Sequence, residues 1–257
     1  MKTTLCILTK NELPCLKVTL PDVINACKKN KITDIFAIDG GSTDGTIEFF
    51  KKNSIKVLSQ DNKGRGDAFH VAFKEIDTDL YIFYSPDGNE DINDVYKFSE
   101  QAQLGADIII ASRMMKDSFN EEDVNIIKMR KWANNAFNAM ANITFRRNGS
   151  YITDSINGYR AITKSAVKSL SLDATDYTIE YQMTIRAFKK KLSISEFPTI
   201  EGKRLFGETQ AKSIPTGLKF LKCYFREIFT RIQKKFIYIL KNYFFIILFL
   251  IRIYSVI

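Results

Sequence analysis

Three polar clusters carry the chemistry that is legible in this chain. Asp39-Gly40-Gly41-Ser42-Thr43-Asp44-Gly45-Thr46 follows an apolar run. A carboxylate there accepts hydrogen bonds from a base or a ribose, and the glycines let a ligand approach the backbone. The same residues also fit a tight turn with a helix cap. Lys63-Gly64-Arg65-Gly66-Asp67 sets two cations on a glycine-bearing loop ahead of a helical stretch. That suits an anion near a helix N-terminus, or a solvated turn; it is not a P-loop, because the Gly-x-x-x-x-Gly-Lys-Ser/Thr pattern is absent. Ser85-Pro86-Asp87-Gly88-Asn89-Glu90-Asp91 ends another apolar run with three carboxylates. Packing does not call for them, so a divalent ion at Asp87 stands beside a surface turn as the reading. Together the clusters answer the needs of a nucleoside diphosphate: a polar pocket for base and ribose, and neutral balance for the diphosphate.

These clusters need a scaffold that brings them together. Residues 5–9, 32–38, 55–58, 80–84 and 107–111 read as strands, and helical spacing separates them over 14–30, up to 52, up to 76, and 93–104. Several strands are continuous apolar runs, as in parallel sheets buried on both faces. Ligands of open parallel sheets bind beyond the carboxyl ends of the strands, so the polar clusters are expected at one edge. The second half is more irregular. Residues 126–145 and 177–190 read as helices, 154–162 as a polar loop and 192–197 as a strand.

The chain has 257 residues and a net charge of +9, with Lys and Arg concentrated from Lys189 to Lys241. A basic amphipathic helix is expected over 215–235, followed by a stretch of Phe, Ile, Leu and Tyr over 236–257 that Lys241 and Arg252 interrupt. The reading divides the chain into a domain of residues 1–213 and a membrane-associating part of residues 214–257. The flanking cations put the domain on the cytoplasmic face of a membrane, held peripherally or by a single pass. Nucleic acid is not expected as a partner, since no zinc-finger spacing or RNP-like pattern occurs. Homo-oligomerisation is left open. Four cysteines without a CxxC pair and a single histidine exclude a Cys/His metal site. The opening residues run straight into a strand, so no leader is expected.

In order and spacing the clusters resemble glycosyltransferase family 2, in its dolichyl/polyprenyl-phosphate sugar synthase-like branch, over residues 3–209. Asn11-Glu12 looks like the family's first-strand Asn-Glu. The Asp39 loop resembles its Asp-Asp-Gly-Ser-x-Asp-Gly-Thr, with Gly40 for the second Asp. Lys63-Gly64-Arg65-Gly66 resembles its Gly-Lys-Gly loop, and Ser85-Pro86-Asp87 stands in place of Asp-x-Asp, with Ser85 for the first Asp. Ala111-Ser112-Arg113 and Arg130 are similar to arginines that contact phosphate in that branch. Asp154-Ser155-Ile156-Asn157-Gly158-Tyr159-Arg160-Ala161, Glu196-Phe197-Pro198 and Lys203 to Thr209 resemble further family segments.

The resemblance implies a GT-A fold, Rossmann-like, with a mostly parallel central sheet and flanking helices. It implies inverting transfer from a nucleotide-sugar donor, with Mg2+ or Mn2+ at Asp87. Donor contacts are expected from Asn11, Glu12, Asp39, Gly41, Ser42, Lys63, Gly64, Arg65, Asp67, Ser85 and Asp87. Catalytic roles fall to Asp87, Asp154 and Arg204, with Asp154 either a general base or an orienting group for Arg160. Acceptor or phosphate contacts are expected from Arg113, Arg130, Arg160, Glu180 and Gln182. The acceptor is expected to be polyprenyl phosphate. The alternatives are a hydroxyl of a lipid-linked glycan or surface polysaccharide, and a degenerate membrane scaffold without activity.

Overall fold

The computed structural model describes residues 1–126, 128–207 and 214–230. Its first half alternates as the apolar runs predict: β1 (Thr3–Thr9), α1 (Leu13–Lys29), β2 (Asp34–Asp39), α2 (Thr46–Lys52), β3 (Lys56–Ser59), α3 (Arg65–Glu75), β4 (Leu80–Tyr84), α4 (Val95–Gln103) and β5 (Ile108–Ser112). There follow α5 (Met129–Phe145), β6 (Arg160–Thr163), α6 (Lys164–Leu170), α7 (Ile179–Lys190), β7 (Ile194–Pro198) and α8 (214–230).

The seven strands form one sheet in the order β3-β2-β1-β4-β6-β5-β7. The β3-β2-β1-β4 half is parallel throughout, whereas β6 is antiparallel to both of its neighbours and β7 is parallel to β5. Every residue of β1, β4 and β5 is buried. Alternation sends Leu5 and Ile7 of β1 into one core, with Leu16, Leu20, Phe50 and Phe98 of α1, α2 and α4. Cys6 and Leu8 enter the other, with Phe69, Phe137 and Tyr181 of α3, α5 and α7. The sheet is thus the middle layer of three.

Register decides where the chemistry goes. Thr9 pairs with Asp39, Asp39 with Ser59, Ile7 with Tyr84, and Ser112 with Pro198. The carboxyl ends of six strands therefore share an edge. Because β6 runs the other way and begins opposite Phe83 and Ile110, the segment before it reaches that edge too.

One expectation changes. The polar loop expected over 154–162 ends at Tyr159, because Arg160-Ala161-Ile162-Thr163 forms β6. A strand of four residues opening on a fully buried arginine leaves no apolar run to read. Arg160 is tolerated there because it donates to the carbonyls of Asn157, Glu180 and Ser155 at 2.6, 2.9 and 3.2 Å. The basic helix expected over 215–235 is described over 214–230, where it is seated on α5 and α7, and residues 231–235 lie outside the described residues. Phe220 packs on Phe137 and Tyr224 on Phe145, with ring centroids 5.2 and 5.7 Å apart. The apolar stretch 236–257 lies outside the described residues; among those described, no helix is long and apolar enough to cross a membrane.

Candidate active site

The parallel half of the sheet ends in a cleft of about 380 Å3, lined among others by Glu12, Gly40, Lys63, Arg65, Ser85 and Asp87, and closed on one side by Tyr177 and Arg204. That volume lies in the range of small-molecule sites. The Lys63 loop is held in place by backbone geometry. Gly64 has φ +123°, and a Cβ there would collide with the Thr175 carbonyl oxygen. Asp67 Oδ2 accepts from Asn62 N at 2.8 Å, so Asp67 shapes this loop from within. Gln60 fills the space where an aspartate at position 40 would point: a Cβ on Gly40 would meet its Oε1 at 2.7 Å.

Asn11 and the Asp39 loop fasten the opposite wall. Asp39 is buried and accepts from the amides of Gly41 and Ser42 at 2.8 Å each and from the Ser42 hydroxyl. Asn11 N donates to Ser42 Oγ, and Asn11 Oδ1 accepts from Thr43 N, both at 2.8 Å. Of the predicted donor residues, Asn11, Asp39, Gly41 and Ser42 thus form the loop framework beside the cleft, while Glu12, Lys63, Gly64, Arg65, Ser85 and Asp87 line it.

Arg204 bridges the two acidic groups of the cleft. Its Nη1 lies 2.9 Å from Asp87 Oδ2, and its Nη2 pairs with Glu12 Oε1. Burial pushes the Asp87 carboxyl up, and the Arg204 charge works against that shift. Glu12 Oε2 is buried with no hydrogen-bond partner. The loop carrying Arg204 closes on this site: Leu205 N donates to Asp87 O at 3.0 Å and Gly202 N to Asn89 O at 2.8 Å. Gly88 has φ +85°, and a Cβ there would meet the Leu205 side chain.

Among the described residues no group of three metal-ligating side chains occurs. Two neighbouring carboxylates, one with an orphaned oxygen, fit a divalent ion that shares its shell with diphosphate oxygens and water. Ser85 adds no charge; its hydroxyl sits 3.4 Å from Arg65 Nη1. Its backbone N donates to Glu90 at 2.7 Å. Burial, with Asp87 close by, raises the Glu90 carboxyl to about 8. Asp91 accepts from Asn93 and caps a short turn instead of reaching the cleft.

The antiparallel half of the sheet builds a second site. Asp154 is fully buried, and both of its oxygens are taken by Arg113: Nε to Oδ2 at 2.7 Å and Nη2 to Oδ1 at 3.0 Å. Asp154 is expected as a base or as an orienting group for Arg160, and in the structure its hydrogen bonds go to Arg113. Arg113 also pairs with Glu201 at 3.0 Å, and Glu201 accepts from Asn120 at 2.7 Å. The sequence gives no sign of Glu201 in this role, since it lies 88 residues along the chain from Arg113, nor of Asn120, whose partner is Glu201.

Arg113, Arg130 and Glu201 stand at one part of a groove of about 450 Å3 between α5 and α8, whose walls include Phe137, Phe220 and Leu221. Arg130 pairs with Glu121 and Glu122. The remaining expected acceptor residues turn inward. Arg160 serves the fold as described, and burial lowers its guanidinium to about 10. Glu180 pairs with Arg65 at 2.5 Å, and Gln182 Oε1 accepts from the amides of Asp173 and Ala174 at 2.9 and 3.0 Å.

Comparison with known proteins supplies the family. The chain is 28% identical over 231 residues to the glycosyltransferase AglJ of Haloferax volcanii, covering 86% of this chain and 71% of that protein. It is 28% identical over 203 residues to the UDP-N-acetylglucosamine–dolichyl-phosphate N-acetylglucosaminyltransferase of Methanococcus voltae, covering 70% and 78%. To the undecaprenyl-phosphate mannosyltransferase of Micrococcus luteus it is 26% identical over 222 residues, covering 82% and 87%. Among solved structures, glucosyl-3-phosphoglycerate synthase of Mycobacterium tuberculosis, in complex with Mn2+, UDP-glucose and phosphoglyceric acid, superposes with a TM-score of 0.67. The identity is 17%, over 88% of this chain and 79% of that one, and the likeness is one of fold. The profile of glycosyl transferase family 2 matches residues 4–168, and with the fold and the cleft it places the chain among the glycosyltransferases: it belongs to glycosyl transferase family 2.

Proposed function

We propose that this enzyme transfers a sugar, with inversion, from a nucleotide-sugar donor to polyprenyl phosphate at the cytoplasmic face of a membrane. The donor's nucleotide lies in the cleft at the ends of β1, β2 and β4. Lys63 and Arg65 neutralise its diphosphate, and Asp87 with Glu12 would hold a Mg2+ or Mn2+ ion. That ion, when bound, stabilises the charge that gathers on the leaving diphosphate. A phosphate oxygen of the acceptor forms the new bond to the anomeric carbon as the bond to the diphosphate breaks, and the electron pair leaves with the nucleotide. Arg204 is freed from its carboxylates when the donor complex enters and closes on the diphosphate.

The observation that carries the choice of acceptor is the pairing of Asp154 with Arg113. Both carboxylate oxygens are occupied, so Asp154 is not available to deprotonate a sugar hydroxyl. A phosphate oxyanion needs no such base, and guanidinium groups suit it. Arg113 and Arg130 beside an apolar groove offer a head-group site and a place for a hydrocarbon chain.

The test supplies the purified full chain with radiolabelled nucleotide sugars, Mg2+ or Mn2+, and polyprenyl phosphate. Label is expected in the organic phase, and Asp87→Ala is expected to lower the rate by roughly a hundredfold or more. Label reaching only a lipid-linked oligosaccharide would replace the phosphate acceptor by a hydroxyl. Nucleotide binding without turnover on either acceptor would point to the scaffold.

A further inference from the structure

We infer that α5 and α8 together form a lipid-docking face that sets the acceptor groove against the bilayer, and that Trp132 is its anchor. The inference rests on the membrane reading above and adds which surface of the folded domain meets the lipid.

On α8, Ile214, Leu218, Leu221, Phe225 and Phe229 recur at intervals of three or four residues and so share one stripe. They are exposed by 79, 62, 37, 50 and 62%. The opposite side of the helix carries the anchoring residues Phe220, Cys223 and Glu227, all buried. An amphipathic helix seated by one side does not normally show a second apolar stripe to water. On α5 the same occurs: Met129, Trp132 and Ile143 lie on one face, exposed by 68, 57 and 81%, opposite the buried Phe137, Asn138, Ala141 and Phe145.

The two helices run in the same direction, since Phe137 meets Phe220 and Phe145 meets Tyr224. Helical geometry then fixes the groove between them. Stripe and groove overlap, since Met129 of α5 and Ile214, Leu218 and Leu221 of α8 line it, and the remaining lining residues of the two helices turn towards each other in opposite senses. Both stripes consequently flank the groove and face the same way. Lys219, Lys222 and Arg226 follow the α8 stripe along one flank and are exposed; Lys219 pairs with Asp176 at 3.2 Å and Arg226 with Asp173 at 3.4 Å. Apolar side chains edged by cations complement an anionic lipid surface rather than a protein partner's mixed surface. A large indole at such a boundary is suited to the head-group level.

Trp132 is the only tryptophan of the chain, so its fluorescence reports this surface alone. The full chain is mixed with phosphatidylcholine vesicles with and without phosphatidylglycerol, and with brominated lipids; co-sedimentation and emission are read together. The expected result is co-sedimentation with the anionic vesicles, emission at shorter wavelength, and quenching by the bromines. Leu218→Asp with Phe225→Asp, both at exposed positions, is expected to weaken vesicle partitioning about tenfold and to reduce the quenching. Co-sedimentation with Trp132 still in a water-like environment and unquenched would overturn this inference while leaving membrane association intact. Failure to co-sediment would remove the membrane reading itself. Trp132 shielded from acrylamide in lipid-free protein would assign the face to a second copy or to residues 231–257, and would also overturn it.

Discussion

Arg204 donates to Asp87 and to Glu12 at once, so one guanidinium balances two carboxylates at the place where a diphosphate and its ion are expected. Removing that charge leaves the buried Glu12 and the half-buried Asp87 without the cation they share. Arg204→Gln is therefore expected to lower the stability of the metal-free protein by about 1–3 kcal/mol. Added Mn2+ should recover a larger share in the variant than in the parent, because the ion no longer competes with an arginine. Thermal unfolding with and without Mn2+ measures both effects, and an equal Mn2+ response in the two proteins contradicts the competition. The acids themselves were legible in the sequence, because carboxylates that end an apolar strand have no packing reason to be there. What each carboxylate touches was not legible: Asp154 looks the same on paper whether it serves as a base or is locked by Arg113, 41 residues away along the chain.

At the scale of elements, Glu227 decides whether α8 stays on the domain. Its buried carboxylate lies 2.9 Å from Arg186 Nε and 2.5 Å from Lys189 Nζ. Burial alone would raise the Glu227 carboxyl, but hydrogen bonds from Lys189 and Arg186 outweigh it and hold it low. A carboxyl held low contributes stability that is present above its ordinary range and lost as pH falls through the folded value. Glu227→Gln should cost about 3 kcal/mol, since the buried charge that faces Arg186 and Lys189 is removed, although Arg186 keeps Asp173. Urea unfolding gives the cost, and hydrogen exchange should show residues 214–230 opening first.

The strands β1, β4 and β5 were readable because each is a continuous apolar run, buried along its whole length. β6 was not, since an arginine opens it and its stability comes from neighbours on both sides. The seat of α8 was hidden for a related reason. Its buried face holds only Phe220, Cys223 and Glu227, so the sequence shows chiefly its cations and its outward stripe.

For the molecule as a whole, pH acts through two partly buried acids. Burial raises Glu196 to about 7 and Glu90 to about 8, against an ordinary value of 4.5. A carboxyl raised on folding contributes stability that is fully present below the ordinary value and lost as pH rises through the folded one. The metal-free protein should accordingly unfold at lower denaturant at pH 8.5 than at pH 5.5. Glu90→Gln, which keeps an oxygen for the Ser85 amide, should flatten that slope; an unchanged slope would exclude Glu90 as its source. The net charge of +9 acts on association instead, so partitioning onto anionic vesicles should fall as salt is raised from 0.01 to 0.15 M.

The reversed strand β6 has a wider consequence. It divides the sheet into a uniformly parallel part that ends in the carboxylate-lined cleft and a mixed part that ends at the arginine-headed groove. The segment from Glu201 to Arg204 crosses that seam, since Glu201 holds Arg113 on one side and Arg204 holds Asp87 and Glu12 on the other. A substitution in that short stretch is therefore felt in both halves of the sheet at once.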